Sequence, residues 1–174
     1  MRALVLYESL WGNTAAVAGA IAAGLAEPPG AAQVVLVDVA DDPPRDAAGF
    51  DLVVVGGPTH AFSMTRQSTR DDAVAKGAPD GPHGRGIREW LAGLDERDVT
   101  RAVATFDTRV LSVRRIPGSA ARAAARAVRR AGVGTVVDTV SFYVTDLDGP
   151  LVHGELDRAR EWGRSLSDRM ALAR

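Results

Sequence analysis

The stretch Tyr7-Glu8-Ser9-Leu10-Trp11-Gly12-Asn13-Thr14 separates an apolar run from a helical pattern. The run 3–6 (Ala-Leu-Val-Leu) is typical of a buried strand, whereas Val17, Ile21 and Leu25 recur at steps of four, as on one face of a helix. A turn between a strand and a helix favours phosphate binding, because the first helical amides lack internal partners and the helix dipole adds about half a positive charge. The stretch therefore predicts an α/β fold with an anion site near its start.

The turn is hydroxyl-rich and contains no cation. Ser9, Asn13 and Thr14 offer side-chain hydrogen bonds, and Gly12 lets the backbone approach a ligand closely. It has neither the Gly-x-Gly-x-x-Gly spacing of dinucleotide folds nor the Gly-Lys-Ser/Thr of nucleotide triphosphatases. A plain helix cap needs one polar residue rather than three around a glycine, so the pattern favours phosphate held by neutral donors.

Composition limits the class of protein. The chain has 174 residues, of which 46% are hydrophobic and 25% charged, and we expect one domain spanning 1–174. A net charge of −1 gives no strong field for nucleic acid or an anionic membrane. The absence of cysteine excludes disulfides, thiolate metal sites and thiol nucleophiles. Without a signal-peptide pattern or an apolar run of about 20 residues, we expect a cytoplasmic protein.

Apolar runs and helical periodicities alternate along the rest of the chain. Strands are predicted over residues 2–7, 33–37, 51–55, 101–106 and 135–144, the last with a bend near 138–139. Helices are predicted over residues 13–26, 87–94, 118–131 and 155–171, with a weak helical turn at 45–48. Residues 63–85 are polar, with glycine and proline clustered at their end, and are predicted to form an irregular lid or mobile insert.

This alternation predicts a doubly wound, five-stranded parallel sheet with helices on both faces. In such sheets ligands bind beyond the carboxyl ends of the strands. The loops that begin at Glu8, Gly57 and Asp107 all lie at that edge. In the strand order 2-1-3-4-5, strands one, three and four are neighbours, so these three loops are expected to converge.

The first turn and the order of the elements resemble those of the flavodoxin family. Flavodoxins carry the pattern Ser/Thr-x-Thr-Gly-Asn-Thr after the first strand, and Ser9 to Thr14 match it except that Trp11 replaces a threonine. The resemblance implies a flavodoxin-like fold of order 2-1-3-4-5 and non-covalent FMN. Its phosphate would lie on the turn, and its ring between the second and third loops. The implied cofactor-binding residues are Ser9, Leu10, Trp11, Gly12, Asn13, Thr14, Pro58, Thr59, His60, Ala61, Phe62, Thr105, Phe106, Asp107, Thr108 and Arg109.

The sequence departs from that family in two respects. Many flavodoxins place a tryptophan and a tyrosine on either side of the flavin, whereas these loops offer His60, Phe62 and Phe106. Electron-carrier flavodoxins also tend to be acidic, whereas this third loop carries Arg109 and, further on, arginines at 114 and 115. A nearby cation stabilises an anion, so we expect a less negative flavin potential than in low-potential carriers.

Several residues keep two interpretations. The ring of Trp11 either borders the ligand or packs elsewhere, and His60 is either a flavin-edge contact and proton donor or an ordinary loop histidine. Asp107 and Thr108 either form a turn or contact the flavin edge. The loop arginines either are solvated or bind an acidic redox partner or NADPH phosphates. Histidines at 60, 83 and 153 are scattered without carboxylates at ligand spacing, so no metal site is predicted.

Two tryptophans and one group of arginines have simpler interpretations. Trp90 and Trp162 lie on apolar helical faces and are predicted core residues. The arginines at 122, 126, 129 and 130 recur at helical spacing and are predicted to form the solvent face of the fourth helix.

Three functions remain open from the sequence. The first is an FMN-binding electron-transfer protein that serves a redox partner or an NAD(P)H reductase. The second is an FMN-dependent NAD(P)H:quinone-type oxidoreductase with 63–85 as its lid. The third is a non-redox protein of the same fold that binds flavin weakly or not at all. No catalytic side chain is predicted, because the chemistry would belong to the cofactor. The protein is expected to be a monomer or a homodimer.

Overall fold

The computed structural model describes residues 1–28, 32–44, 47–79, 84–95, 97–98 and 100–172. Five parallel strands form one sheet in the order β2-β1-β3-β4-β5, which confirms the predicted topology. The strands are β1 Arg2–Tyr7, β2 Gln33–Asp38, β3 Leu52–Pro58, β4 Ala102–Val110 and β5 Thr135–Val144. The register pairs Tyr7 with Gly56 and Pro58 with Thr108, so β1, β3 and β4 end side by side.

Helices cover both faces of this sheet. They are α1 Asn13–Leu25, α2 Gln67–Ala75, α3 Ile87–Ala92, α4 Ala120–Ala131 and α5 Glu155–Leu172, with a short 3-10 turn at Leu111–Val113. Alternate residues of β1 divide between two cores: Ala3 and Val5 pack with α1 and α5, whereas Leu4 and Leu6 pack with α3 and α4. Strands buried on both faces are expected to be continuously apolar, which explains the runs in the sequence. Among the described helices, none is long and apolar enough to cross a membrane.

The prediction of a core residue is confirmed for Trp90 and only in part for Trp162, and the predicted solvent face of α4 is confirmed. Trp90 is 1% exposed and donates its Nε1–H to the carbonyl of Pro44, and Trp162 packs partly buried against the core between α5 and the sheet. The four arginines of α4 are all exposed, as the spacing predicted.

The segment 63–85 contains a helix, so the prediction of an irregular insert is wrong for residues 67–75. The only buried side chains of α2 are those of Arg70 and Ala73, so the helix lacks the apolar stripe that periodicity detects. Its start is set by polar contacts, since Thr69 accepts a hydrogen bond from the backbone N–H of Arg66 at 2.9 Å. Residues 80–83 lie outside the described part of the chain, as do 45–46 of the predicted turn at 45–48.

The fourth strand is longer than predicted. Asp107, Thr108 and Arg109 extend β4 as far as Val110 instead of opening a loop. Polar residues are tolerated there because neighbouring elements supply partners for them, as with the backbone N–H of Ala121, which donates to Asp107. The predicted bend in β5 corresponds to a register shift, where Val103 faces Val136 but Ala104 faces Asp138.

Candidate functional site

The first turn forms a cradle of free amides. Gly12 precedes α1 with φ 85°, a left-handed conformation that favours glycine, and the Ser9 hydroxyl caps the helix start by accepting from the backbone N–H of Ala15. Among the described residues, no hydrogen bond uses the backbone N–H of Leu10, Trp11, Gly12, Asn13 or Thr14. The first turn of α1 also contains no acidic residue. Unpartnered amides at the positive end of a helix dipole are suited to an anion.

The predicted convergence of the three loops is present. The hydroxyls of Thr14 and Thr108 are 2.7 Å apart, which joins the start of α1 to the end of β4. The backbone N–H of Thr59 donates to the carbonyl of Thr108 at 2.8 Å. The Thr59 hydroxyl accepts from the backbone N–H of Ala120 at 2.8 Å. The segment after β3 is therefore tied both to β4 and to the start of α4.

Asp107 works mainly as a helix cap. Its carboxylate is fully buried and accepts the backbone N–H of Ala121 through Oδ2 at 2.8 Å. Ser119 caps the same helix end by accepting from the N–H of Arg122. Oδ1 of Asp107 has no partner among the described residues. A buried carboxylate oxygen without a partner can accept a hydrogen bond from one further donor.

Arg109 is a buried, oriented cation beside these loops. It is 6% exposed, and Nη2 donates to the carbonyls of Val113 at 2.7 Å and Ile116 at 3.1 Å. Its Nε–H finds no partner in the described part of the chain. An unpaired buried N–H costs about 1–3 kcal/mol, so a ligand oxygen or water that reached it would be bound favourably.

Two aromatic rings close the space above the first turn. Trp11 and His60 lie parallel, with 6.1 Å between ring centroids and 9° between planes. Burial and then the charge of Lys76 lower the pKa of His60, so its imidazole is neutral near pH 7. Within the described ranges, no group of three or more His, Asp and Glu side chains is placed to hold a metal.

The loops enclose a narrow cleft of about 30 Å³, and a second cavity of about 80 Å³ lies against the same Trp11 and His60 rings. The cleft is lined by Leu10, Trp11, Asn13, Thr14, Pro58, Thr59, His60, Thr108, Arg109, Val110, Val144 and Leu147. The loop after β5 closes it, since Asn13 Nδ2 donates to the carbonyl of Asp148 at 2.9 Å. Pockets for flat organic ligands are typically ~300–1,000 Å³, so this cleft is closed.

Nine of the sixteen residues implied by the resemblance line the cleft. Ser9 lies behind it, accepting from the backbone N–H of Ala15, and Gly12 is exposed at the helix start. Thr105 and Phe106 lie inside the sheet, where Thr105 bonds to Thr139 and Phe106 packs in the apolar core. The remaining three residues do not line the cleft either; they are Ala61, Phe62 and Asp107.

The sequence interpretation missed Val110, Val144 and Leu147, which also line the cleft. The available signal was positional, since the turn after β5 leaves the same edge of the sheet as the three loops.

A strained turn lies beside the cleft. Ala61 and Phe62 adopt φ 46° and 60°, and both backbone hydrogen bonds between His60 and Ser63 are 3.0 Å long. A left-handed conformation costs a non-glycine residue about 1–2 kcal/mol. Such strain persists where surrounding contacts demand it, often at functional sites.

Ala61→Gly is expected to stabilise the protein by about 0.5–1 kcal/mol, because relief of the left-handed strain outweighs the extra entropy of glycine in the unfolded chain. Urea denaturation at equilibrium measures this. The same substitution at the exposed helical position Ala16 is the control and should destabilise by about 1 kcal/mol. Equal destabilisation by both variants would show that Ala61 is not strained.

A buried polar network joins the first turn to α2 and α3. Glu8 is 3% exposed and accepts from the Thr65 hydroxyl at 2.5 Å and the backbone N–H of Ile87 at 3.0 Å. Arg70, also buried, donates to Thr65 at 3.0 Å and to Glu89 at 3.3 Å. Burial raises the pKa of Glu8 above 4.5, although its hydrogen bonds and Arg70 oppose the shift. For Glu89 burial is outweighed by the N–H of Gly86 and by Arg70, so its pKa is lowered.

This raised pKa predicts a pH dependence. The folded state retains the Glu8 proton above pH 4.5, where the unfolded state has lost it, so this contribution to stability falls as pH rises through the folded pKa. Glu8→Gln removes the titrating carboxyl group, and any other effect of the substitution on the free energy of unfolding is the same at every pH. Relative to the unmodified protein, the variant should therefore gain stability as pH rises above about 4.5, measured by urea denaturation across pH. Glu161→Gln, at an exposed position, is the matched control for the substitution itself. A pH-independent difference for Glu8→Gln would contradict the assignment.

Comparison with known proteins supports the fold. No protein-family model matches the sequence, and no curated protein matches it. Among solved structures, a flavodoxin from the domain Archaea is 18% identical, with 98% of this chain and 99% of that chain covered and a TM-score of 0.63. A diflavin flavoprotein A3 from Nostoc sp. is 16% identical, with 98% and 94% covered and a TM-score of 0.57. A flavone reductase is 17% identical, with 98% and 63% covered and a TM-score of 0.59. The chain has the flavodoxin fold.

Proposed function

We propose that this chain binds FMN non-covalently at the carboxyl edge of the sheet and transfers electrons. The observation that carries the proposal is the cradle of unpartnered amides from Leu10 to Thr14 at the start of α1, with no acid in its first turn. A phosphate dianion is stabilised by several N–H and O–H donors even without a cation. The turn from Leu10 to Thr14 lies beside the ends of β3 and β4, which supports the proposal.

Different segments of the chain would bind the phosphate and the ring of FMN. The first turn, Ser9 to Thr14, would hold the phosphate through its amides and the hydroxyl and amide side chains. Pro58 to His60 and Thr108 to Arg109 line the cleft and would contact the ring. Of the other proposed residues, Asp107 supports the cleft through the start of α4, and Phe106 and Thr105 support β4 from inside the sheet. Bound FMN would supply the electron-transfer chemistry.

Binding requires the cleft to open. The Trp11 and His60 rings are 6.1 Å apart, whereas a flat ring between them needs about 7 Å, two van der Waals separations of ~3.5 Å. Leu147 lines both cavities, and Asn13 holds its loop through Asp148. We infer that separation of Trp11 from His60, together with movement of this loop, joins the two cavities. Trp11 would then form one aromatic wall of the site.

An FMN titration tests the proposal. We expect saturable binding with a flavin absorbance change and quenching of Trp11 fluorescence. Trp11→Phe should reduce the quenching, because Trp11 lines the cleft and would lie against the ring. Released FMN should be recovered after heating. A protein that neither copurifies with flavin nor binds added FMN would contradict both redox functions and favour the non-redox alternative.

Arg109 favours a second candidate, an FMN-dependent NAD(P)H:quinone-type oxidoreductase. Its buried guanidinium lines the cleft with an unpartnered Nε–H, and a cation there would stabilise negative charge gained by a reduced ligand. NADPH consumption with a quinone and no added reductase would identify this enzyme. Potentiometry should give a less negative potential than in low-potential carriers. A very low second-electron potential would exclude this role for Arg109.

A further inference from the structure

One face of the protein concentrates its positive charge. Residues 108–137 contain seven arginines and no acidic residue, a net charge of +7. The whole chain carries −1, so the other residues together carry −8. Six of these arginines are exposed, and we call them the arginine face: Arg114, Arg115, Arg122, Arg126, Arg129 and Arg130. The segment 108–137 is therefore strongly basic although the whole chain is nearly neutral.

The arginine face lacks the ion pairs found elsewhere on the protein. Arg70, Arg97, Arg158, Arg160 and Arg169 each pair with a carboxylate. No salt bridge between described residues involves the arginine face. Moreover, its members at 122, 126 and 130 are spaced by four, so like charges repel along α4. An acidic partner would remove this repulsion.

A groove lined by both apolar and arginine side chains lies between α3 and α4. It has a volume of about 410 Å³, and its floor includes Met64, Leu91 and Ala127. Arg126 and Arg130 form its α4 rim. No acidic residue lines the part of the groove that the structure describes. Apolar side chains surrounded by arginine, with carboxylates depleted, are typical of the centre of a protein interface.

The strained turn joins the groove to the cleft along the chain, since Ser63 lines the groove and His60 lines the cleft. Ser63, which lines the groove, directly follows Phe62, whose side chain is 45% exposed. The backbone of Phe62 packs against Gly118, two residues after Ile116, which is 44% exposed. The strained turn thus carries an exposed phenylalanine at a chain position between the residues that line the groove and those that line the cleft.

We propose that the arginine face and this groove form the docking surface for an acidic partner protein. An apolar side chain of the partner enters the groove, and carboxylates of the partner pair with Arg126 and Arg130. These two arginines are separated by about 6 Å along the helix axis, which matches carboxylates at i and i+4 of a partner helix. If FMN is bound as proposed, docking here brings the partner to the cleft. Docking itself does not depend on FMN.

Fluorescence anisotropy with a labelled peptide tests this surface. The probe is an amphipathic helical peptide with glutamates on one face and leucines on the other, and its glutamine counterpart is the uncharged control. At low salt we expect the acidic peptide to bind at least ~10-fold more tightly than the control and to weaken at about 0.15 M salt. Equal affinity with and without FMN would separate this inference from the proposed function. Equal affinity for the two peptides would overturn the inference.

Matched variants test whether peptide binding depends on the groove itself or only on the positive charge of the surface. Arg126→Glu with Arg130→Glu should weaken acidic-peptide binding at least ~10-fold, whereas Arg122→Glu with Arg129→Glu makes the same charge change outside the groove and should cost under ~3-fold. Ala127→Leu narrows the groove without changing charge and should also weaken binding. Equal losses in the two double variants would overturn the assignment. So would tighter binding of a labelled single-stranded DNA, which would indicate a nucleic-acid surface instead.

Discussion

Asn13→Asp is expected to weaken FMN binding by more than ~100-fold, about 2.7 kcal/mol. The substitution replaces an amide NH₂ by a carboxylate oxygen at the first residue of α1, beside the free amides that we propose hold the phosphate. Two unit charges about 4 Å apart interact with about 4 kcal/mol at an effective dielectric of ~20, so repulsion of a phosphate dianion exceeds the loss of one hydrogen bond. Isothermal titration calorimetry with FMN measures the effect.

Two controls isolate the phosphate. Riboflavin lacks that group, so its affinity should change by less than ~3-fold in the same variant. Asn13→Ser also loses the bond to the carbonyl of Asp148, but it adds no charge and should weaken FMN binding by less than ~10-fold. Stability should change little, because an acid at a helix start gains about 0.3–1 kcal/mol while the lost bond costs a similar amount. Equal loss of FMN and riboflavin would place the phosphate elsewhere.

Gly24→Ala is expected to destabilise the protein by about 3 kcal/mol or more. Helices α1 and α5 meet in backbone contact there, so an added Cβ would overlap the carbonyl oxygen of Arg160 and lie 2.9 Å from the N of Arg164. Backbone atoms cannot rotate away as side chains do, so the helices must separate along a buried interface. In a protein of this size, the loss corresponds to a fall in Tm of about 6–12 °C. Calorimetry measures it.

Gly19→Ala is the matched control on the same helix. A Cβ at Gly19 would meet no atom within 4 Å among those described. Alanine there should therefore stabilise the helix by about 0.5–1 kcal/mol. The two substitutions are chemically identical and are predicted to act in opposite directions. A loss of less than ~1 kcal/mol in Gly24→Ala would mean that α1 and α5 do not touch at this point.

The strands were the part of the fold best predicted from sequence. Residues 2–7 and 135–144 match β1 and β5 fully, because apolar runs between turn residues identify buried strands. Helix α2 was missed, because its buried face consists of an arginine and an alanine, and polar contacts to Glu8 and Glu89 hold that arginine inside. The end of β4 was missed because Asp107 is polar, yet α4 provides its partner.

The candidate site was predictable where it depended on local chemistry. The glycine and hydroxyls of the first turn predict an anion site, and the structure leaves the backbone amides of residues 10–14 without partners among the described residues. The walls of the cleft were less predictable. Whether Phe106 faces the core or the cleft depends on its register against β3 and β5, and Leu147 enters from a distant loop. The stacking of Trp11 on His60 likewise joins residues 49 positions apart.

By itself, the sequence determined the alternation of five strands with helices, the position of the first turn and the segregation of arginine into residues 108–137. These follow from residue types and near-neighbour periodicity, which act over a few positions of chain. Only the tertiary structure decided that Gly24 is a helix contact and Gly19 is not, that Trp11 stacks on His60 beside the cleft, and that arginines at 126 and 130 line a groove between α3 and α4. Each of these depends on which surfaces meet across the sheet, and close packing of distant segments sets that arrangement.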